Sequence, residues 1–375
     1  MDTNEILCAM ALTRIHGLSL LNAKRLYEMA GGAQAVVQNH RDIRAILPDA
    51  GDRLVEALQN IDEAWARAEA EWAFAQDKHI RCIPLGSDAY PPLLRECEDA
   101  PLVIYWLGRG ALVRPHVVSM VGTRRISQYG KDLCAAFIKD LRTACPDALV
   151  VSGLAYGVDI HCHKAALENG LDTVAVLAHG LDTVYPSMHR KTAVQMVEQG
   201  GLLTEYMSNA LVDKGNFVRR NRIVAGLSPV TIVVESAHKG GALITAEYAN
   251  AFNREVCAFP GRVGDEYSEG CNHLIANDQA HLISGIDDFL RLTGWGERVE
   301  TKQTGEGRQT ELFPVLEPDE EAVYRALEGV DEKAIHQIIL DTNLPFPRVS
   351  AALTELELKG LTQTLGGARY RRAKH

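Results

Sequence analysis

Between residues 117 and 294, short β-branched runs alternate with longer stretches of helical periodicity, and this alternation restricts the fold more than any other feature. The runs are Val117–Val121, Leu149–Val151, Thr173–Leu177, Leu202–Tyr206, Val230–Val234 and Glu255–Phe259. Strands that alternate with helices predict a parallel sheet covered on both faces. Ligands of such sheets bind outside the carboxyl ends of the strands, near the change in strand order. The Gly-rich polar turns all fall on that rim: Gly122-Thr-Arg124, Ser152-Gly, His179-Gly, Lys239-Gly-Gly and Pro260-Gly. Glycines there let backbone amides approach a phosphate, and the helix N-termini that follow add positive potential.

The flanks read differently. Residues 1–78 have helical spacing and are expected to form a helical domain. Its Ile15-His-Gly17-Leu-Ser19 turn is similar to the hairpin of helix-hairpin-helix modules, with Ser19 in place of the second Gly. Residues 80–115, rich in Pro and Gly but carrying Ile104, Tyr105, Trp106 and Leu107, are expected to pack on the α/β domain, which spans 79–295. Residues 296–316 read as a polar linker. From 317 to 375, three short helices (Asp319–Glu328, Glu332–Asp341, Pro347–Leu358) and a two-stranded wing turning at Gly366-Gly367 give the plan of a winged helix. Its third helix buries Val349, Leu353 and Leu356 but exposes Glu355 and Glu357, a poor surface for the major groove. Duplex contact and protein contact both stay open for this domain.

No run of 18 apolar residues is present, so no membrane span is expected. Eight cysteines without a C-x-x-C pair argue for reduced thiols in a cytoplasm. A net charge of -10 does not announce a nucleic-acid binder, yet a local basic groove can coexist with an acidic exterior. Lys214 to Arg222 supplies one: Lys214, Phe217, Arg219, Arg220, Asn221 and Arg222 combine a ring for a base with guanidinium groups for phosphates. On a helix starting at Phe217, Arg220 falls on the same side as Ile223, Val224 and Leu227, whereas Arg222 points outward.

Other chemistry fits less well. Arg124 and Arg125 stand where a dinucleotide fingerprint requires glycines, and no P-loop is present, so no cofactor is expected. His161-Cys-His163 cannot converge on one ion from a single helix and reads as core or capping residues. Asp159 and Glu235 sit on the rim and leave a nucleotide hydrolase as the alternative. Helix capping by Asp159 and hydrogen bonds from Glu235 to rim loops are the simpler roles.

Several segments together resemble the DNA-processing protein DprA (Smf) family. They are Met120-Val-Gly-Thr-Arg124, Ser152-Gly-Leu-Ala-x-Gly-Val-Asp159 with His163, Gly180-Leu-Asp-x-x-Tyr-Pro186 with His189, and Gly200-Gly-Leu-Leu-Thr-Glu-Tyr206. Phe217-x-x-Arg-Asn-Arg-Ile-Val-Ala-Gly-Leu-Ser228, Glu235-Ser-x-x-Lys-x-Gly-x-Leu-Ile-Thr-Ala246 and Gly270-x-Asn-x-Leu-Ile275 complete the set. The resemblance implies an extended Rossmann-like parallel sheet with an N-terminal helical (SAM/helix-hairpin-helix-like) domain and a C-terminal winged-helix domain. It further implies a non-enzymatic homodimer that binds single-stranded DNA and loads RecA during natural transformation. DNA contacts are expected from Gly122, Arg124, Lys214, Phe217, Arg219, Arg220, Asn221, Arg222 and Lys239.

Overall fold

The computed structural model describes residues 2–59, 61–295, 316–328, 332–359, 361–365 and 369–372, and the chain divides into two compact units, 1–298 and 299–375. Apart from Leu316, the linker expected over 296–316 lies outside the described residues, as do the Gly366-Gly367 turn and Lys374.

Nine strands build the sheet of the first unit: β1 (Arg81–Pro84), β2 (Val103–Leu107), β3 (Val117–Val121), β4 (Leu149–Ser152), β5 (Asp172–Val176), β6 (Gly200–Thr204), β7 (Val230–Val233), β8 (Glu255–Ala258) and β9 (His281–Leu282). Their order is β1-β2-β6-β5-β4-β3-β7-β8-β9. From β6 to β9 every neighbour is parallel, as the strand–helix alternation predicts. The 80–115 segment does more than pack on this sheet. It adds β1 and β2 as an antiparallel edge, with Trp106 opposite Leu203. From β3 the chain builds outward through β4, β5 and β6, then returns to place β7 on the other side of β3. The strand order therefore reverses between β3 and β7, the position where open α/β sheets leave a crevice.

Alternate residues of a strand face opposite sides. Val117 and Val121 pack toward the N-terminal helices and the Lys214–Gly226 helix, whereas Val118 and Met120 pack with Phe137, Cys162 and Phe289. On the first side, the helices Thr3–Leu12, Leu20–Ala30 and Ile61–Asp77 share one apolar core with the sheet. Buried polar groups fix that seam. The Glu71 carboxylate, 2% exposed, accepts from the Ser208 amide at 2.9 Å and hydroxyl at 2.5 Å, and from Arg67 at 2.9 Å. Lys24 Nζ donates to the Cys97 carbonyl at 2.5 Å. Ser19 takes a local role: its hydroxyl accepts from the Asn22 amide and caps the Leu20–Ala30 helix.

The second unit has helices Pro318–Ala326, Ile335–Thr342 and Phe346–Leu358, with a three-stranded sheet ordered β10 (Lys333–Ala334), β12 (Arg369–Arg372), β11 (Thr362–Leu365). Val349, Leu353 and Leu356 are buried and Glu355 and Glu357 exposed, as the periodicity predicts. The ends of the first two helices differ by a few residues, because Glu317 and Ala334, not the expected starts, occupy the caps.

Candidate nucleic-acid interface

A cavity of about 470 Å³ opens at the β3/β7 reversal, outside the carboxyl ends of the strands. Its wall includes Gly122, Thr123 and Arg124 from the end of β3, Gly153 and Ala155 from the end of β4, Gly240 and Gly241 after β7, and Lys214, Phe217, Arg220 and Asn221 from one helix. That helix is Lys214–Gly226, starting three residues before the expected Phe217 because the Asp213 carboxylate caps it, accepting from the Gly215 amide at 2.8 Å. Buried Ser119 on β3 anchors its far end by donating to the Val224 carbonyl at 2.7 Å.

Phe217 is half-buried at the mouth. The exposed Tyr185 ring meets it edge-on at 5.6 Å, and the Arg124 guanidinium lies 5.5 Å over its centroid. This cation–aromatic group presents stacking surface and positive charge together. Arg124 is exposed and has no carboxylate partner among the described residues. Lys214 sits in the first turn of its helix, where the helix dipole repels a cation unless an anion is bound nearby. Tyr185 lies within the Gly180–Pro186 motif, where no local signal marks it as a site residue. His179 sets its position: Nε2 accepts from the Tyr185 amide at 3.2 Å, so Nδ1 carries the proton donated to the Gly180 carbonyl.

Arg220 is inward, 3% exposed, as its place on the apolar stripe predicts. It lies on the cavity floor with Nη1 already donating to the carbonyls of Gly153 (2.6 Å) and Val176. A Cβ on Gly153 would come within 2.2 Å of that guanidinium, so glycine is required by this close approach. Asp159 completes the floor. It does not cap its helix. Its carboxylate turns back to accept from the amides of Gly153 (3.1 Å) and Ala155 (3.2 Å). Burial raises its pKa, and the Arg220 guanidinium opposes the rise. Glu235 keeps the role expected of it, accepting from the Ser127 amide at 2.9 Å and from the Ser127 hydroxyl. Both rim acids are thereby committed to holding backbone. The carboxylates on which a hydrolase reading depended are occupied.

Arg222 points away from Arg220, as expected, but it is not exposed. It is 5% exposed, with Nε 3.1 Å from Asp99 and Nη2 2.7 Å from Glu205, on the other side of the helix from the cavity. An angle on a helical wheel gives direction, not surroundings, and the connector around Asp99 covers this side. Arg219 is exposed and donates to the Asn216 side chain, and Lys239 is exposed on its loop; neither lines the cavity. His163 is a core histidine, bonded through Nδ1 to Thr173 at 2.7 Å, with burial pulling its pKa down to about 3. His161 Nδ1 bonds the Gly157 carbonyl at the start of the same helix. No metal-holding cluster of His, Cys, Asp or Glu occurs among the described residues.

The chain is similar to known proteins over most of its length. Residues 81–294 match the family model for DNA recombination-mediator protein A, and residues 309–368 match the DprA winged helix domain. Protein Smf of Escherichia coli is 30% identical over 96% of each chain, and Protein Smf of Synechocystis is 34% identical over 79% of this chain and 81% of its own. The X-ray structure of DNA processing protein A from Streptococcus pneumoniae superposes with a TM-score of 0.66 at 30% identity, covering 77% of this chain and 98% of that one. DNA processing protein A from Helicobacter pylori, described for its single-stranded DNA binding mode, gives 0.51 at 30% identity over 58% and 97%. The matching family model is that of a DNA recombination mediator. With a reversed-order Rossmann-like sheet, a winged helix and a matching sequence over more than half its length, the chain belongs to the DprA (Smf) family of DNA recombination-mediator proteins.

Proposed function

We propose that this chain binds single-stranded DNA at the Phe217 cavity, protects incoming strands and loads a RecA recombinase during natural transformation, acting in the cytoplasm as a homodimer. The observation that carries the reading is the group formed by Arg124, Phe217 and Tyr185 beside Lys214: two rings at the cavity mouth for bases, and two cations without a carboxylate partner among the described residues for phosphates. Arg220 enters this reading as the support of the cavity floor, with Gly122 and Asn221 as wall residues; Arg222 is left out because two carboxylates hold it. Its likeness to the H. pylori protein, whose single-strand binding mode has been described, supports the choice of ligand.

Fluorescence anisotropy with a labelled oligothymidine across a salt series tests it. Each phosphate contact contributes a slope of about -0.7 log unit of affinity per log unit of salt for single strands. Arg124→Ala and Lys214→Ala should each weaken binding and flatten the slope by about that amount. If both variants bind like the parent at every salt concentration, the cavity is not the DNA site. Stimulation of RecA-driven strand exchange by the parent, and its loss with Arg124→Ala, tests the loading step.

A further inference from the structure

The Gly122–Arg125 turn carries two guanidinium groups, and each meets a different ring. Arg124 lies over Phe217 in the first cavity, and Arg125 lies 5.9 Å from the centroid of Tyr267. Next to Tyr267 a second cavity of about 600 Å³ opens on the same rim, walled by Tyr129, Glu235, Pro260, Arg262 and Tyr267. It shares no lining residue with the first cavity.

The second cavity is built from fixed parts. The Tyr267 carbonyl accepts from the Ser236 amide at 2.7 Å, which ties it to the end of β7. Tyr129, 46% exposed, donates its hydroxyl to the Pro260 carbonyl at 2.9 Å. The Asn272 side chain holds Gly261 from both sides, accepting from its amide at 3.1 Å and donating to its carbonyl at 3.0 Å. A Cβ on Gly270 would come within 2.6 Å of the Ala237 carbonyl. Asn272 thus shapes this cavity through Gly261, while Gly270 packs against Ala237, which lines the first.

Charge selects what can enter. The buried Glu235 carboxylate forms part of the wall, and Asp265 and Glu266 lie on the same lining loop. Three carboxylates disfavour a phosphate inside, while the exposed guanidinium groups of Arg125 and Arg262 can hold phosphates at the edge. The lining suits a flat, uncharged ring stacked on an aromatic side chain.

We infer that the second cavity is a base subsite for the same nucleic-acid strand. One segment stacks at Phe217, the strand passes the Arg124–Arg125 turn, and a further base stacks against Tyr267 and Tyr129 with its phosphates at Arg125 and Arg262. The inference rests on the single-strand reading of the first cavity. Its test uses the full chain and oligothymidines graded from about 4 to about 16 nucleotides, the range that single-strand sites span. Parent affinity should rise once a strand is long enough to reach both rings. Tyr267→Ala and Arg125→Ala should each remove about tenfold of affinity for the longer strands and nothing for the shortest. Tyr267→Phe, which keeps the ring, should bind like the parent. If Tyr267→Ala and Arg125→Ala match the parent at every length while Phe217→Ala weakens all, the second subsite is refuted and the first stands. Equal weakening of short and long strands by Tyr267→Ala also refutes a separate subsite. If Phe217→Ala and Arg124→Ala match the parent too, the single-strand reading itself fails.

Discussion

Replacing Arg220 by methionine keeps most of the side-chain volume and removes a buried charge on which two strand ends depend. Nη1 bridges the carbonyls of Gly153 after β4 and Val176 in β5, and the guanidinium offsets the buried Asp159 carboxylate that holds the Gly153 and Ala155 amides. A hydrogen bond from a charged donor contributes about 1.5–3 kcal/mol. Removing one partner of a buried charged pair costs about 3–5 kcal/mol, because the other is left uncompensated. Arg220→Met should therefore destabilise the first unit by about 3–5 kcal/mol, and Asp159→Asn combined with it should recover part of the loss. All four tryptophans, Trp65, Trp72, Trp106 and Trp295, lie in that unit, so urea unfolding followed by tryptophan fluorescence reads it without contribution from the winged helix. Additive losses in the double variant would show that Asp159 and Arg220 are not coupled. An Arg220→Met midpoint within about 0.5 kcal/mol of the parent would refute the reasoning altogether. The consequence for function is direct: loss of DNA binding in an Arg220 variant reports a collapsed floor, and Arg124 is the cleaner probe.

Arg222→Ala should lower stability through loss of the Asp99 and Glu205 pairs while a folded sample keeps the parent's single-strand salt slope, in contrast to Arg124→Ala; a flattened slope in the anisotropy series would place Arg222 on the DNA. Glu71→Ala should cost about 3–5 kcal/mol in the same urea assay, because the Ser208 amide and Arg67 lose a buried acceptor; a cost under about 1 kcal/mol would remove Glu71 as a pin of the helical layer. His163 is held neutral in the fold, with its pKa pulled from the ordinary 6.5 to about 3. A depressed folded value contributes stability that is present above 6.5 and lost as pH falls toward 3, at up to about 1.4 kcal/mol per pH unit. Urea midpoints between pH 7 and 4 should fall less steeply for His163→Gln, and parallel slopes would contradict the assignment. In the winged-helix unit, Arg325, Lys333, Arg348, Lys359, Arg369 and Arg372 all face carboxylates and Arg371 is held by the Gln363 side chain, so a chain ending at residue 298 should keep the parent's duplex affinity; a marked loss in a gel shift would assign duplex contact to that unit.

Much of this molecule is legible in local sequence. Alternating β-branched and helical runs determine a parallel sheet, because period and chain reversal are local properties. Gly-rich turns mark the carboxyl-end rim of the sheet, because glycine lets backbone amides approach an anion closely. The inward direction of Arg220 follows from 100° per residue. Three things needed the tertiary structure. The order reversal between β3 and β7 arises from which strands pair, and that choice is made by packing between segments more than a hundred residues apart. Tyr185 joins Phe217 only after His179 folds the Gly180–Pro186 loop over the cavity mouth. Arg222 reads as a free cation until Asp99, from the connector, and Glu205, from the end of β6, close around it. A side chain's type and direction are written in its own helix; whether its charge is spent or free depends on residues brought to it from elsewhere in the chain.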